Sequence, residues 1–285
     1  MEQFIYLLNL CLLIGLTVVI VKLSNAITLK KVNKIESEMD ENDFVMKVVT
    51  EGFTYGILWI VWTIIIFIYT RLANFDAIWI IILAVVWFLS FAWMVWSIWV
   101  SLQQKIIVKD NTITYYKFQR KVTQITFDEI SNATSSESKN RSHMNFYGEN
   151  GEIIFTLPNY WWEGQSLLIK RLIYSGKTPL FEIPPFLRYA PKKNKEMTKN
   201  SLNTMTELVN FLIEEDLTTW NSFDENGFVD IDFELYYHDL TEEGQHLFTS
   251  NTINKWINLP LIDGNISEIS DFILFLKAAL MEMRS

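Results

Sequence analysis

The sequence has few of the residues that build most catalytic and metal sites. Its 285 residues include one cysteine, Cys11, and three histidines. A single cysteine excludes an intrachain disulfide and a metal site built from several cysteines, which agrees with soluble parts in a reducing compartment. Glycine-rich phosphate loops, the GxSxG elbow, kinase motifs and the HExxH spacing are also missing. We therefore expect no enzyme, no cofactor and no bound metal.

Charged side chains are missing from three long stretches near the start of the chain. Residues 4–21, 54–70 and 77–102 contain no Asp, Glu, Lys, Arg or His. Each stretch is about long enough to cross roughly 30 Å of hydrocarbon as a helix, and the six residues 71–76 leave room only for a tight turn. The expected fold class is thus a multi-pass α-helical membrane anchor of three helices. For residues 4–21, a cleaved signal peptide is the alternative.

The distribution of lysine predicts how such an anchor is oriented. Five lysines lie between the first two apolar stretches, in residues 22–53, which we interpret as a cytoplasmic loop. By the positive-inside rule, the N-terminus lies outside and the bulk of the chain after residue 102 is cytoplasmic. The apolar stretches hold no intramembrane charge of the kind that transporters and proton relays require, which argues against transport.

After the third stretch, apolar and polar residues alternate as in β-strands. The alternation predicts strands over 105–109, 111–118 and 121–127, and further strands over 144–147 and 152–157. The helical spacing of Leu167, Leu168, Arg171 and Leu172 predicts a helix over 163–174. The Ser- and Asn-rich segment 131–140 is interpreted as a mobile loop. Strands followed by one helix favour a small curved sheet or partial barrel.

Residues 103–177 resemble the bacterial pleckstrin-homology-like domains that follow a transmembrane hairpin. The resemblance rests on the segments 107–116, 125–130, 151–155 and 164–168. It implies a PH-like sheet or partial barrel with a C-terminal helix, and a binding role without catalytic residues. Three basic residues surround the predicted second hairpin, where eukaryotic relatives of this fold often hold anionic head groups: Lys117, Arg120 and Lys121. They are either a contact for anionic lipid head groups or a solvated turn.

The last third of the chain is strongly acidic. Residues 199–285 hold 16 Asp/Glu against 4 Lys/Arg, whereas residues 105–198 hold 9 against 14. Prolines and lysines in residues 178–198 predict a linker, and the periodicity of 199–285 predicts a small α+β module. Three carboxylates are predicted on one strand face, as a site for a cation or basic partner or as a solvated surface: Asp230, Asp232 and Glu234.

These features favour a membrane protein that binds other molecules. The leading hypothesis is a non-enzymatic, multi-pass protein that presents cytoplasmic PH-like and acidic modules to a protein partner or to the membrane surface. The alternative is a membrane-anchored immunity protein that neutralises a basic toxin, since a compact acidic module suits electrostatic capture. A membrane-associated enzyme is the third hypothesis. The lipid bilayer is an expected partner, and nucleic acid is not.

Overall fold

The structure, a computed structural model, divides the chain into two compact units. It describes residues 19, 30–32, 34–36, 38–48, 59, 63, 77–138, 141–157, 162–189, 194–259, 261–262, 265–266 and 269–285. The first unit comprises Met1–Gln124 with Tyr160–Gly164, and the second comprises Ile125–Asn159 with Gln165–Ser285.

The described part of the first unit includes a long helix and an antiparallel sheet of order β1-β2-β3-β4. The fourth strand runs across the boundary between the units. The bounds are β1 Phe44–Lys47, α1 Ala77–Leu102, β2 Gln104–Lys109, β3 Thr112–Lys117 and β4 Arg120–Thr126. Burial alternates along β1 and β2 because successive side chains of a strand point to opposite faces: Phe44, Met46, Ile106 and Val108 are buried, and Lys47 and Lys105 lie on the other face.

Close packing of the backbone at position 164 against the buried side chains of β1 requires glycine there. Gly164 has a φ of +85°, and a Cβ there would lie 3.2 Å from Phe44 Cδ2 and 3.3 Å from Met46 Cγ. Glycine tolerates this left-handed conformation without steric cost. Its N–H donates to Glu36 Oε1 at 2.7 Å. Position 164 is therefore fixed by both backbone conformation and space.

The second unit begins with a three-stranded antiparallel sheet of order β5-β6-β7. The bounds are β5 Asn132–Ser138, β6 Arg141–Tyr147 and β7 Ile153–Leu157, followed by α2 Gln165–Tyr174. Phe146 packs on Phe155 with ring centroids 5.4 Å apart. The Lys177 carbonyl accepts from the Ala133 N–H at 2.7 Å, so the chain after α2 returns to β5.

The remainder of the second unit surrounds one hydrophobic core. Its bounds are β8 Phe181–Glu182, α3 Pro185–Tyr189, α4 Lys195–Glu214, β9 Glu234–Leu235, α5 Glu242–Leu247, α6 Ser250–Ile257, β10 Leu261–Ile262, β11 Asn265–Ile266 and α7 Ile269–Arg284. The expected linker 178–198 contributes to this core. Phe181, Ile183 and Leu187 are fully buried, and Phe181 meets Phe248 and Trp256 edge to face at 5.4 and 4.7 Å.

The expected fold class is wrong as stated. Within the described residues, one helix is long and apolar enough to cross a membrane, over Ala84–Leu102, and the rest is mixed α/β with antiparallel sheets. No multi-pass helical anchor is present in that part of the chain. The expected segments 4–21 and 54–70 lie outside the described residues, apart from Val19, Trp59 and Thr63.

The expected partial barrel is also corrected. The strands of residues 103–177, together with β1 from Phe44–Lys47, form two separate antiparallel sheets, β1-β2-β3-β4 and β5-β6-β7. The second includes β5 in the segment interpreted as a mobile loop. Its Ser- and Asn-rich sequence offers no apolar alternation, and pairing with β6 makes it a strand.

Candidate membrane-interface site

Helix α1 carries its apolar side chains on the outside of the structure. Its 26 residues include no charged side chain, and Ile78, Phe88 and Trp93 are 70%, 63% and 73% exposed. Soluble monomers rarely expose so extensive an apolar surface. At 1.5 Å per residue the helix is about 39 Å long, which exceeds the roughly 30 Å of a bilayer's hydrocarbon core. The surface of α1 is therefore suited to hydrocarbon rather than to water.

Two helical residues from earlier in the chain contact one side of α1. The Trp87 indole N–H donates to Thr63 Oγ1 at 2.9 Å, and the Trp59 ring lies 4.1 Å from Trp87 and 4.5 Å from Phe91. A buried indole N–H needs such a partner, all the more where water is excluded. Trp87 and Phe91 are accordingly half-buried, whereas the neighbouring residues of α1 are largely exposed.

Aromatic rings gather where α1 ends. Trp96 and Trp99 lie 5.3 Å apart, and Trp99 lies 5.4 Å from Phe118 at the tip of the β3–β4 hairpin. The Phe118 N–H also donates to the Gln103 carbonyl at 3.0 Å, which ties the hairpin to the chain just after the helix. Tryptophan is enriched at membrane–water interfaces because its ring is apolar and its N–H is polar. The end of α1 therefore has the composition of an interfacial belt.

The hairpin tip adopts a strained turn. Phe118 and Gln119 have φ values of 50° and 60°, as a two-residue type I′ turn requires. Asn and Gly are the usual residues there, and a bulky side chain at positive φ costs conformational energy. The contacts of Phe118 with Trp99 and Gln103 stabilise the turn, and the ring stays 39% exposed.

The three predicted basic residues flank this tip. Lys117 precedes the turn, Arg120 and Lys121 follow it, and all three are exposed. Lys121 Nζ donates to Gln124 Oε1. The structure thus places these charges beside the aromatic end of α1, which sequence reasoning alone did not bring together. Basic side chains at this level can contact the phosphates of anionic lipids.

The three predicted acidic residues do not form one strand face. Asp230 and Asp232 are exposed and lie outside any strand, where Asp230 Oδ1 accepts from the Asp232 N–H at 3.5 Å. Glu234 lies in β9 and is half-buried. It binds Arg188 at 2.5 Å and accepts from the Tyr236 hydroxyl at 2.8 Å. Only Asp230 and Asp232 remain as freely solvated carboxylates of this set.

A charged network that sequence reasoning missed connects β8, β9 and α3. Arg188 binds Glu182 at 3.0 Å as well as Glu234, and its Nε donates to the Ile183 carbonyl at 3.0 Å. Burial raises the pKa of Glu182 to about 7, against the lowering effect of Arg188, and Glu234 raises it further. Burial and the bond to Glu234 also raise the pKa of Tyr236. The apolar residues near Arg188 in the expected linker, Ile183 and Leu187, are the sequence signal that could have indicated a folded segment here.

Neither a metal-ligand set among the described residues nor a similar known protein indicates a function. In the part of the chain that the structure describes, no three His, Cys, Asp or Glu side chains come together as a metal-ligand set. No protein family, curated protein or solved structure matches the chain. The geometry of α1 and its surroundings is therefore the feature that indicates a function.

Proposed function

We propose that this chain is a non-enzymatic, membrane-attached protein whose folded units bind a protein partner or the membrane surface. One observation carries the proposal: α1 exposes a long uncharged apolar surface over Ala84–Leu102. Exposed to water, a surface of this size would drive aggregation. Inserted in a bilayer, the same side chains contact acyl chains, and the helix satisfies its own backbone hydrogen bonds.

The end of α1 supports this placement. Trp96 and Trp99 occupy its last two turns, and Lys117, Arg120 and Lys121 flank the neighbouring hairpin tip. Aromatic rings at the interface with basic residues just beyond them fit the head-group region of the cytoplasmic leaflet, which carries anionic lipids. In this orientation the units that follow α1 face the cytoplasm.

The acidic part of the chain supports a protein partner. Residues 199–285 carry 16 Asp/Glu against 4 Lys/Arg, and several of these carboxylates are exposed, among them Glu225, Asp230 and Asp232. A surface with this balance attracts a basic partner and speeds their encounter, more strongly at low salt.

Membrane fractionation of paired variants tests the attachment. Val85 and Leu89 are 53% and 61% exposed near the middle of α1, so replacing them changes the surface rather than a packed core. We expect the wild type and the control Val85→Ala/Leu89→Ala to remain in carbonate-washed membranes. The variant Val85→Asp/Leu89→Asp should be lost from them, because each Asp at the centre of a bilayer helix costs about 2.5–3.5 kcal/mol.

Two outcomes would contradict the proposal. A wild-type chain recovered in the soluble fraction would mean that α1 is covered by protein rather than by lipid. Equal membrane retention of the Asp and Ala variants would mean that α1 does not contact the hydrocarbon.

A further inference from the structure

A cavity opens in the first unit at the end of α1. It has a volume of about 400 Å³ and is lined by Leu102 at the helix end, by Lys47 and Val48 from the end of β1, and by Lys105 from the start of β2. Gln119, from the strained hairpin turn, also lines it. The cavity therefore lies at the level where α1 meets the interface.

The charge of this cavity is positive. Lys31, Lys47 and Lys105 line it against a single carboxylate, Glu163. Lys47 and Lys105 are direct partners across β1 and β2, and like charges at such positions repel and destabilise a sheet. Among the described residues, no carboxylate lies within ion-pair distance of either lysine. An anion between them would replace this repulsion with attraction.

The neutral lining adds hydrogen-bond donors. Gln104 lines the cavity and is only 4% exposed. Its side chain lies on the buried face of the sheet, opposite Lys47 and Lys105, where its Oε1 accepts from the Tyr115 hydroxyl at 2.6 Å. The donors available beside the lysines are therefore those of the other two lining glutamines, Gln103 and Gln119, whose side chains carry amide NH₂ groups. Lysines with amide donors suit the oxygens of a phosphate group.

The apolar rim identifies the source of that phosphate. Leu102 is 58% exposed at the rim, and beyond it the apolar surface of α1 continues past Trp99. A ligand with a phosphate head and acyl chains fits a basic cavity that borders an apolar helix. A soluble phosphate would contact only the cavity.

We propose that this cavity binds the phosphate-bearing head group of an anionic membrane lipid, with Lys31, Lys47 and Lys105 as the recognising cations. The inference rests on the proposed membrane attachment through α1 and names a lipid ligand for it. It concerns a different set of residues from Lys117, Arg120 and Lys121 at the hairpin tip.

Calorimetric titration of the detergent-solubilised full chain tests the lipid site. The probes are short-chain phosphatidylglycerol, short-chain phosphatidylcholine and inorganic phosphate. We expect wild type to bind phosphatidylglycerol more tightly than the other two. Lys47→Gln/Lys105→Gln should weaken that binding about thirtyfold, since each lysine near an anionic lipid contributes roughly fivefold. The control Lys109→Gln, on the same strand, should bind like wild type.

A charge-preserving variant separates recognition from folding. Lys47→Arg/Lys105→Arg should retain most of the affinity, because guanidinium groups also bind phosphate. Equal binding of the two lipids by wild type, equal losses in the Gln pair and the Lys109→Gln control, or loss in the Arg pair with its circular dichroism unchanged would each overturn the lipid site. Inorganic phosphate binding as tightly as phosphatidylglycerol would overturn the lipid assignment.

Membrane fractionation of the same variants distinguishes an error in the lipid site from an error in the proposed membrane attachment. We expect Lys47→Gln/Lys105→Gln to remain in membranes, because α1 is unchanged. Soluble wild-type protein would reject the membrane attachment, whereas membrane-bound protein without lipid selectivity would reject only the cavity assignment.

Discussion

Replacement of Glu182 by glutamine should make the second unit less sensitive to pH. Glu182 lies beside Arg188 and Glu234 in the network joining β8, β9 and α3. Burial raises its pKa to about 7 from the ordinary value of 4.5, with Arg188 opposing the rise and Glu234 adding to it. Glutamine resembles the protonated acid in shape and carries no charge at any pH.

The direction in which the stability changes with pH follows from the direction of this pKa shift. A carboxyl group whose pKa is higher in the folded chain binds its proton more tightly there. Its stabilising contribution is therefore fully present below about pH 4.5 and is lost as the pH rises through about 7. The difference between the two pKa values of Glu182 corresponds to at most about 3 kcal/mol. Relative to the wild type, Glu182→Gln should gain up to this amount across that range.

Hydrogen–deuterium exchange in the full chain measures this locally. Peptides covering residues 180–188 and 233–237 report the opening of β8 and β9, and the ratio of wild-type to variant exchange at each pH removes the intrinsic pH dependence. We expect the ratio to be near one below pH 4.5 and to rise steadily towards pH 8. The control Glu225→Gln, at an exposed position of the same unit, should leave these peptides unchanged at every pH.

The reverse dependence would refute the reasoning. If the wild type became the more protected form as the pH rose, the ion pair with Arg188 would outweigh burial, and folding would lower the pKa of Glu182 rather than raise it. A ratio that stayed constant with pH would show that folding does not shift the pKa of Glu182.

Three further predictions follow from the packing of the second unit. Glu234→Gln should speed exchange in β8 and β9 because it weakens the contact with Arg188, whereas Asp230→Asn/Asp232→Asn should not, since both aspartates are exposed. Gly244→Ala should lower the thermal unfolding temperature, because its Cβ would meet the Leu217 carbonyl and overpacking costs about 1–3 kcal/mol; Ser222→Ala is the exposed control. A fragment of residues 196–285 should show no cooperative unfolding by circular dichroism, because it lacks Phe181 and β8. A fragment of residues 125–285 should unfold cooperatively, and cooperative unfolding of the shorter fragment would contradict the assigned core.

Sequence periodicity predicted the position of several elements well. Strands expected over 105–109 and 111–118 correspond to β2 Gln104–Lys109 and β3 Thr112–Lys117, and the helix expected over 163–174 corresponds to α2 Gln165–Tyr174. These segments have one buried face, so alternation or helical spacing records their geometry directly. The helix over 77–102 is also present with those bounds.

Periodicity reports burial rather than pairing, and this explains the errors in the second unit. Val229, Phe233 and Leu235, which alternate with the three carboxylates of the expected strand face, are buried. Only Glu234–Leu235 of that segment is a strand, because β8 pairs with just these two residues. Prolines in residues 178–198 favoured a linker, but Pro185 begins a short helix, a position that proline tolerates. Glycine is unfavourable inside a helix, yet Gly244 lies within α5, because the Leu217 carbonyl approaches too closely for a side chain.

The candidate site depended on contacts that sequence spacing could not predict. Lys47 and Lys105 are far apart in the chain and become partners only through the register of β1 and β2. The sequence predicted a hairpin between β3 and β4 but not its tight two-residue turn, because Phe118-Gln119 is not a usual type I′ pair. This turn is stabilised by Trp99 and Gln103, which belong to the end of α1 and the residue after it.

A spin label at the middle of α1 tests the central claim most directly. Ser90 is exposed and lies close to the helix midpoint, so Ser90→Cys can be labelled in a background with Cys11→Ser and reconstituted in vesicles. We predict high accessibility to oxygen and low accessibility to a water-soluble nickel complex at Ser90, with the opposite result for a label at the exposed Ser222. High nickel accessibility at Ser90 would place α1 in water and contradict the membrane attachment.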